Sequence, residues 1–337
     1  MNRVQKCVGG PARLAAMRYK PLGGTGVQVS QLCFGCMSFG GDADEAAAAE
    51  MFKAVRELGV NFFDTANNYS NGKSEEILGR LMRGSRDDLV VATKVFNPLG
   101  KDVNAKGSSR RNVSSQLDGC LKRLQTDRVE ILYLHMRDAL TPLEETLRAL
   151  EDAVRAGKVL YPALSNHTAW ETQAALGIQE AKGWARVQAI QPMYNLVKRQ
   201  AEVEILPMAQ ANGVSVFPYS PAGGGLLSGK YADGGKGRIA DNKMYASRYS
   251  EPWMHEVAEK FAAFCRNYGW HPMSVAVAWV AGHPGVTAPI IGARSLQQLQ
   301  ASLDSLKIEM TPTLWAEIAA LSRTPPPATD RLEEQKK

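Results

Sequence analysis

Short runs rich in Val, Ile, Leu and Phe recur along the chain at 32–36, 61–64, 89–95, 129–135, 159–164, 187–191, 214–219 and 286–291. Segments of helical period lie between them, such as Met51, Val55 and Leu58, or Val113, Leu117, Cys120, Leu121 and Leu124. Side chains able to cap free backbone N–H groups, each with an acid or amide three residues on, mark the predicted helix starts: Asp42/Glu45, Thr141/Glu144, Thr168/Glu171 and Ser295/Gln298. Pro142 is expected at a first helical position, where its missing N–H costs nothing, and Gly59, Gly157 and Gly213 follow predicted helix ends that need a left-handed residue.

The pattern is therefore strand then helix, eight times over. Alternation at roughly 25 to 40 residues implies parallel strands joined by right-handed crossovers, and eight such units close into a barrel. The predicted fold class is α/β, a (β/α)8 TIM barrel with an N-terminal β-hairpin at 19–29, punctuated by Gly23, Gly24 and Gly26, closing its floor. Residues 222–251, rich in Gly, Lys, Arg and Ser, read as a long loop between strands seven and eight over one barrel mouth, with helices at 252–281 behind it. Pro162 lies inside the fifth run, where a closed barrel has no free edge, so a bulge or a shortened strand is expected there. The expected boundaries are a mobile extension at 1–16, one barrel domain at 17–324 and a polar tail at 325–337.

Composition narrows the function. With 337 residues, 45% hydrophobic and 22% charged, the chain can bury a large core and is neither disordered nor collagen-like. The longest apolar stretch, 273–281, falls short of the roughly 20 residues of a membrane span. The N-terminus has no apolar region of secretory type, and five cysteines, an odd number, point to reduced thiols; the expected location is cytoplasmic. The net charge of +6 comes from 40 basic and 34 acidic residues scattered along the chain, without the clusters of nucleic-acid binders; a small anionic ligand suits it better. No oligomeric state is assigned.

Reacting groups in α/β barrels sit at the C-terminal ends of strands. The second run ends in Asp64, with Tyr69 five residues on; the third ends near Lys94; the fourth ends at His135. Singly, a strand-end Asp caps a helix, a Lys snorkels and a His packs in a core, but four on successive strand ends converge on one mouth. A free phenol, with a pKa of about 10, is a poor acid at neutral pH. Lys94 at about 4 Å, with an effective dielectric of about 20, is expected to favour the phenolate by about 4 kcal/mol, or roughly three pK units. Tyr69 is then a general acid near pH 7 that protonates a carbonyl oxygen as it gains a hydride. Asp64 keeps Lys94 charged, and His135 orients the substrate oxygen.

These residues carry a resemblance. From about 18 to 321 the chain resembles the aldo-keto reductase superfamily, through RYKPLGGTGVQVSQLCFGCMSFG, NFFDTANNYSNGKSEEILG, VATKV, LYLHMRD, GKVLYPALSN, QPMYNLVKR, FPYSPAGGGLLSGKY and IIGARSLQQL in the family's order. The family's Asp, Tyr, Lys and His tetrad falls on Asp64, Tyr69, Lys94 and His135, and the resemblance implies NADPH-dependent reduction of small-molecule aldehydes or ketones. It places Ser165, Asn166 and Gln191 at the nicotinamide carboxamide and Tyr219 against the nicotinamide ring. Ser220, Pro221, Gly224, Leu227, Gly229 and Lys230 then approach the pyrophosphate, while Gly292, Arg294, Ser295 and Gln298 open the last helix toward a phosphate. Arg294 is the expected partner of the 2′-phosphate. The family often carries Asn where Ser302 stands, a departure at the adenine contact.

Met37, Phe96, Met136 and parts of 222–251 are the expected substrate-pocket walls, their apolar character suiting hydrophobic carbonyls. Cys33 and Cys36 spell CxxC, but positions i and i+3 on a strand face opposite ways, and no redox or metal role is assigned. The five histidines show no metal-ligand spacing, so no metal is expected. Barrels resembling this one also serve as auxiliary subunits of channels, and a nucleotide-binding sensor subunit is the alternative reading.

Overall fold

The computed structural model describes residues 17–231, 235, 237–331 and 333. The extension expected at 1–16 and part of the tail at 325–337 lie outside the described residues. An antiparallel hairpin, β1 (Tyr19–Pro21) and β2 (Gln28–Ser30), precedes eight strands. These are β3 (Cys33–Gly35), β4 (Phe62–Asp64), β5 (Val90–Val95), β6 (Val129–Leu134), β7 (Val159–Ser165), β8 (Ala189–Gln191), β9 (Ser215–Val216) and β10 (Ile290–Ile291). All pair in parallel in chain order, with β10 beside β3. The seam between β9 and β10 is closed by Ile290 N–H donating to Pro218 O at 2.8 Å and Thr287 N–H to Val216 O at 2.9 Å. The result is the (β/α)8 barrel that the alternation predicts.

The helices α1 (Glu45–Glu57), α2 (Lys73–Leu81), α3 (Arg110–Leu124), α4 (Leu143–Arg155), α5 (Ala169–Lys182) and α6 (Ile205–Ala211) are the crossovers between successive strands. Thr168 and Glu171 form the complete capping box at α5, and Ser295 accepts from Gln298 N–H. Two expected caps shift. Asp44, not Asp42, accepts from Ala47 N–H at α1, and Pro142 occupies the cap of α4 while the Thr141 hydroxyl turns to Asp138. Gly59, Gly157 and Gly213 take φ of 87°, 70° and 62° just past helix ends.

Pro162 causes neither bulge nor shortening: β7 runs through it in register with Leu132 of β6. Its carbonyl accepts from Gln188 N–H at 3.0 Å, on the side where β8 begins only at Ala189. The missing N–H thus faces a neighbour that has not yet become a strand. The segment 222–251 is also more ordered than a loop, holding a 3-10 turn (Gly223–Ser228), α7 (Arg238–Asp241) and α8 (Lys243–Arg248). Behind it stand α9 (Pro252–Asn267) and α10 (Pro272–Gly282), followed by α11 (Leu296–Leu303) and α12 (Pro312–Ala319). Among the described residues no helix is long and apolar enough to cross a membrane.

Strand periodicity divides the core in two. Inside the barrel lie Cys33, Phe62, Val90, Ala92, Ile131, Tyr133, Ala163, Ala189, Phe217 and Ala288, with Leu22 and Val29 of the hairpin beneath them as the floor. Residues of the opposite parity, among them Phe34, Phe63, Val91, Val95, Leu132 and Leu164, pack outward against the helices. Cys33 joins the inner set and Cys36 the outer one, so CxxC does not form a dithiol pair. Cys33, Cys36, Cys120 and Cys265 are all buried and free.

Candidate active site

The inward parity that buries the lumen residues also aims the next inward position of each strand at the C-terminal mouth. Two residues beyond Phe62 is Asp64, beyond Ala92 is Lys94, beyond Tyr133 is His135, beyond Ala163 is Ser165, beyond Ala189 is Gln191, and beyond Phe217 is Tyr219. All but Lys94 line a cavity of about 560 Å³ at that mouth, together with Tyr69 from the turn after β4.

Lys94 is fully buried, and its ammonium uses all three protons: on Asp64 Oδ1, on Thr65 O at 2.8 Å and on the Tyr69 hydroxyl at 3.3 Å. The other oxygen of Asp64 accepts from Gln191 Nε2 at 2.9 Å. Burial works against the ammonium, but Asp64 and Tyr69 outweigh it and hold the Lys94 pKa above its ordinary value.

The expected depression of the Tyr69 pKa is not found. Burial raises the phenol above its ordinary value and outweighs the pull of Lys94, while the Asp64 charge adds to the rise. The physical reason is that Lys94 spends its field on a carboxylate in direct contact, in a pair that is shut off from water. Tyr69 is held as the neutral phenol. His135 lies edge-on to its ring, 6.1 Å between centroids. Burial, with Lys94 adding to it, pushes the His135 pKa down to about 3, so the imidazole is neutral throughout the physiological range.

Opposite this cluster, the Tyr219 hydroxyl donates to Asn166 Oδ1 at 2.7 Å, and Asn166 Nδ2 donates to His135 O. Ser165 donates to Gln191 O. Ser220, Pro221, Gly224, Gly292 and Ser302 line the cavity, as do Met37 and Met136 at its rim, 37% and 41% exposed. Other expected contacts are not brought to this wall. Leu227 is fully buried in the outer core, Gly229 backs onto Ala262 of α9, and Lys230 lies exposed beside Gly225. Arg294, Ser295 and Gln298 stand at the start of α11 outside the cavity lining, with Arg294 paired to Asp42 at 3.0 Å. Phe96 is not in the lining, where its neighbour Asn97 stands instead.

Several lining residues escaped the sequence reading. Arg238, Met244, Tyr245 and Arg248 come from α7 and α8, short helices inside the segment read as a loop. Arg248 lies over the rings of Tyr245 and Tyr219 at 5.3 and 6.0 Å, and Arg238 over Tyr245 at 5.8 Å. Neither has an ion-pair partner among the described residues, and the carboxylate of the cavity, Asp64, is already neutralised by Lys94. A wall with two spare guanidiniums, an aromatic face and amides fits a dinucleotide with its diphosphate. Gly224 and Gly225, at φ of 65° and 98°, expose backbone there; a Cβ on Gly224 would come within 2.7 Å of the Tyr245 ring. Asn68, also in the lining, has a buried Oδ1 without a partner. Among the described residues no cluster of His, Cys, Asp or Glu could hold a metal ion.

A (β/α)8 barrel whose C-terminal mouth joins a buried Lys–Asp pair to a neutral phenol, facing a wall suited to a dinucleotide, defines the class of barrel oxidoreductases. Residues 31–323 match the aldo/keto reductase family, and the chain belongs to that family. It is similar to the uncharacterized oxidoreductase YrpG of Bacillus subtilis (strain 168), 37% identical over 306 residues, which cover 87% of this chain and 92% of that protein. It is similar also to aflatoxin B1 aldehyde reductase member 2 of Rattus norvegicus, 36% identical over 80% of this chain and 78% of that one. A probable voltage-gated potassium channel subunit beta of Oryza sativa subsp. japonica is 34% identical, covering 93% of this chain and 99% of that one.

Proposed function

We propose that the protein reduces aldehydes or ketones to alcohols with NADPH, in the cytoplasm, with Tyr69 as general acid. The observation that carries this reading is the Tyr69 hydroxyl, kept protonated by burial, 3.3 Å from an ammonium that can stabilise the phenolate left after proton transfer. The bound dinucleotide supplies the hydride. Tyr219, Asn166 and Gln191 would hold its nicotinamide end; Gly224, Gly225, Arg238 and Arg248 its diphosphate. As negative charge builds on the carbonyl oxygen, Tyr69 delivers its proton there and Lys94, fixed by Asp64, steadies the phenolate. His135, neutral, offers a hydrogen bond to the same oxygen. Met37, Met136 and Met244 make an adaptable apolar rim, which supports a hydrophobic or aromatic carbonyl.

The test is loss of NADPH absorbance by the purified chain with an aromatic aldehyde, alongside a panel of aliphatic carbonyls and the reverse reaction with alcohols. The rice relative named as a channel subunit favours a second reading, a regulatory subunit that binds the nucleotide. Tight NADPH binding with no turnover in either direction would favour that reading and overturn the first.

A further inference from the structure

Asn97 occupies an unusual place between two catalytic loops. The residue before it, Phe96, has φ of 152°, a backbone conformation that L side chains rarely adopt and that persists only when its surroundings impose it. Two buried amides do so. Gln116 of α3 accepts from Phe96 N–H at 2.9 Å through Oε1 and donates through Nε2 to Asn97 O and Ala105 O, both at 3.0 Å. Asn67, two residues before Tyr69, donates to Asn97 O at 2.9 Å and to Gln116 Oε1 at 3.0 Å, and its own N–H donates to Lys94 O. The loop that carries Tyr69, the end of β5 that carries Lys94 and the turn at Asn97 are thereby tied to one side chain, Gln116.

The free end of Asn97 then meets the catalytic histidine. Its Nδ2 lies 3.1 Å from His135 Nδ1. An amide nitrogen can only donate, so Nδ1 must accept, and in a neutral imidazole the proton is then on Nε2. The titratable and charged groups around the ring are Lys94 from β5 and Tyr69 from the turn after β4. No hydrogen bond among the described residues brings either of them to Nδ1, which meets the Asn97 amide nitrogen instead.

We propose that Gln116 and Asn67 clamp Asn97 so that its amide holds His135 as the Nε2–H tautomer, leaving that N–H as the ring's donor at the cavity wall. Gln116, Asn67 and Asn97 are positioning residues that act through His135. The consequence for turnover rests on the carbonyl-reduction reading; the tautomer itself does not.

The experiment uses the full chain with ring-15N-labelled histidine, with the His135 signals assigned by their loss in His135→Phe. Long-range 1H–15N spectra of the wild type are expected to show an unprotonated Nδ1 and a protonated Nε2, unchanged from pH 8 to pH 5. Asn97→Asp replaces the donor by an acceptor of the same size. It should move the proton to Nδ1, bring the ring into titration within that range, and lower kcat by about 10²- to 10³-fold, as loss of a transition-state donor does. NADPH affinity should stay near wild type. Gln116→Leu should give a mixture of tautomers and lower kcat by about 10-fold, as loss of an orienting partner does. If that variant fails to fold, Asn97→Asp decides alone. A proton that stays on Nε2 in Asn97→Asp overturns the clamp, and a shifted proton with wild-type kcat overturns its role in positioning. A wild type that reduces no carbonyl refutes the reductase reading, and the ring spectra still decide the tautomer.

Discussion

On the side of the cavity built by β4, β5 and β6, the polar groups are committed to one another: Lys94 to Asp64, Thr65 and Tyr69, Asp64 to Gln191, and His135 to Asn97. On the side built by β9, β10 and residues 220–248, Arg238 and Arg248 rest on aromatic rings and the backbone bends through left-handed glycines. The first wall is organised before any ligand arrives, as groups that must meet a developing charge need to be. The second leaves the Arg238 and Arg248 guanidiniums on aromatic faces without ion-pair partners among the described residues. Substitutions on the first wall should therefore act on kcat and stability, and those on the second on binding.

The sharpest break of that division is Tyr69→Phe, which removes the proton donor and leaves the second wall intact. Carbonyl reduction should fall by about 10² to 10⁴, with NADPH affinity close to wild type by fluorescence titration. Lys94→Met should come next. It strands Asp64 in a dry site, a loss of about 3–5 kcal/mol measurable by denaturant melts. In whatever oxidative activity survives, the alkaline limb should move upward, because the cation that favours the phenolate is gone.

Arg248→Ala probes the second wall. If the guanidinium meets the diphosphate, its loss should weaken NADPH and NADH alike by about 10- to 100-fold, a charge-assisted bond of about 1.5–3 kcal/mol. Salt should erode the wild-type affinity more steeply than the mutant's. A fall in kcat at unchanged affinity would erase the distinction between the walls.

The half-buried His135 gives a smaller effect with a definite sign. His135 titrates at about 3 when folded, against about 6.5 when unfolded, so between these values the unfolded chain binds the extra proton. Stability is full well above pH 6.5 and declines as pH falls toward 3, by about 1.4 kcal/mol at pH 5.5. His135→Phe should flatten that part of the stability profile. The smallest effect belongs to the Arg294–Asp42 pair, exposed and screened. If Arg294 is the 2′-phosphate partner, Asp42→Ala should raise NADPH affinity by about two- to fivefold, within the range of a surface ion pair. NADH affinity should not change, and Arg294→Ala should abolish the gain.

The short-range pattern determined the barrel. Seven of the eight apolar runs contain the observed strand and the fifth stops one residue short of it, at Ser165; the glycines after helix ends are left-handed, and the period-2 rule that seats Phe62, Ala92 and Tyr133 in the lumen carries Asp64, Lys94 and His135 to the mouth. That rule also explains Gln191 and Tyr219. It was less telling at α7 and α8, four and six residues long, because so short a stretch shows no period; they stand on tertiary contacts such as buried Tyr245 and Tyr249. Asn97 and Gln116 have neither charge nor period to mark them, and only folding brings the α3 amide to the turn after β5. Leu227, adjacent to the glycine turn, was drawn into the core by burial that no local pattern reveals. The acidity of Tyr69 shows the limit most plainly. The chain order predicts that a lysine and a tyrosine meet, and they do; whether that meeting lowers or raises the phenol's pKa depends on how much water remains and on which other charge claims the ammonium. Both are properties of the assembled barrel, because dielectric and partner choice are set by everything packed around a residue and not by the residue itself.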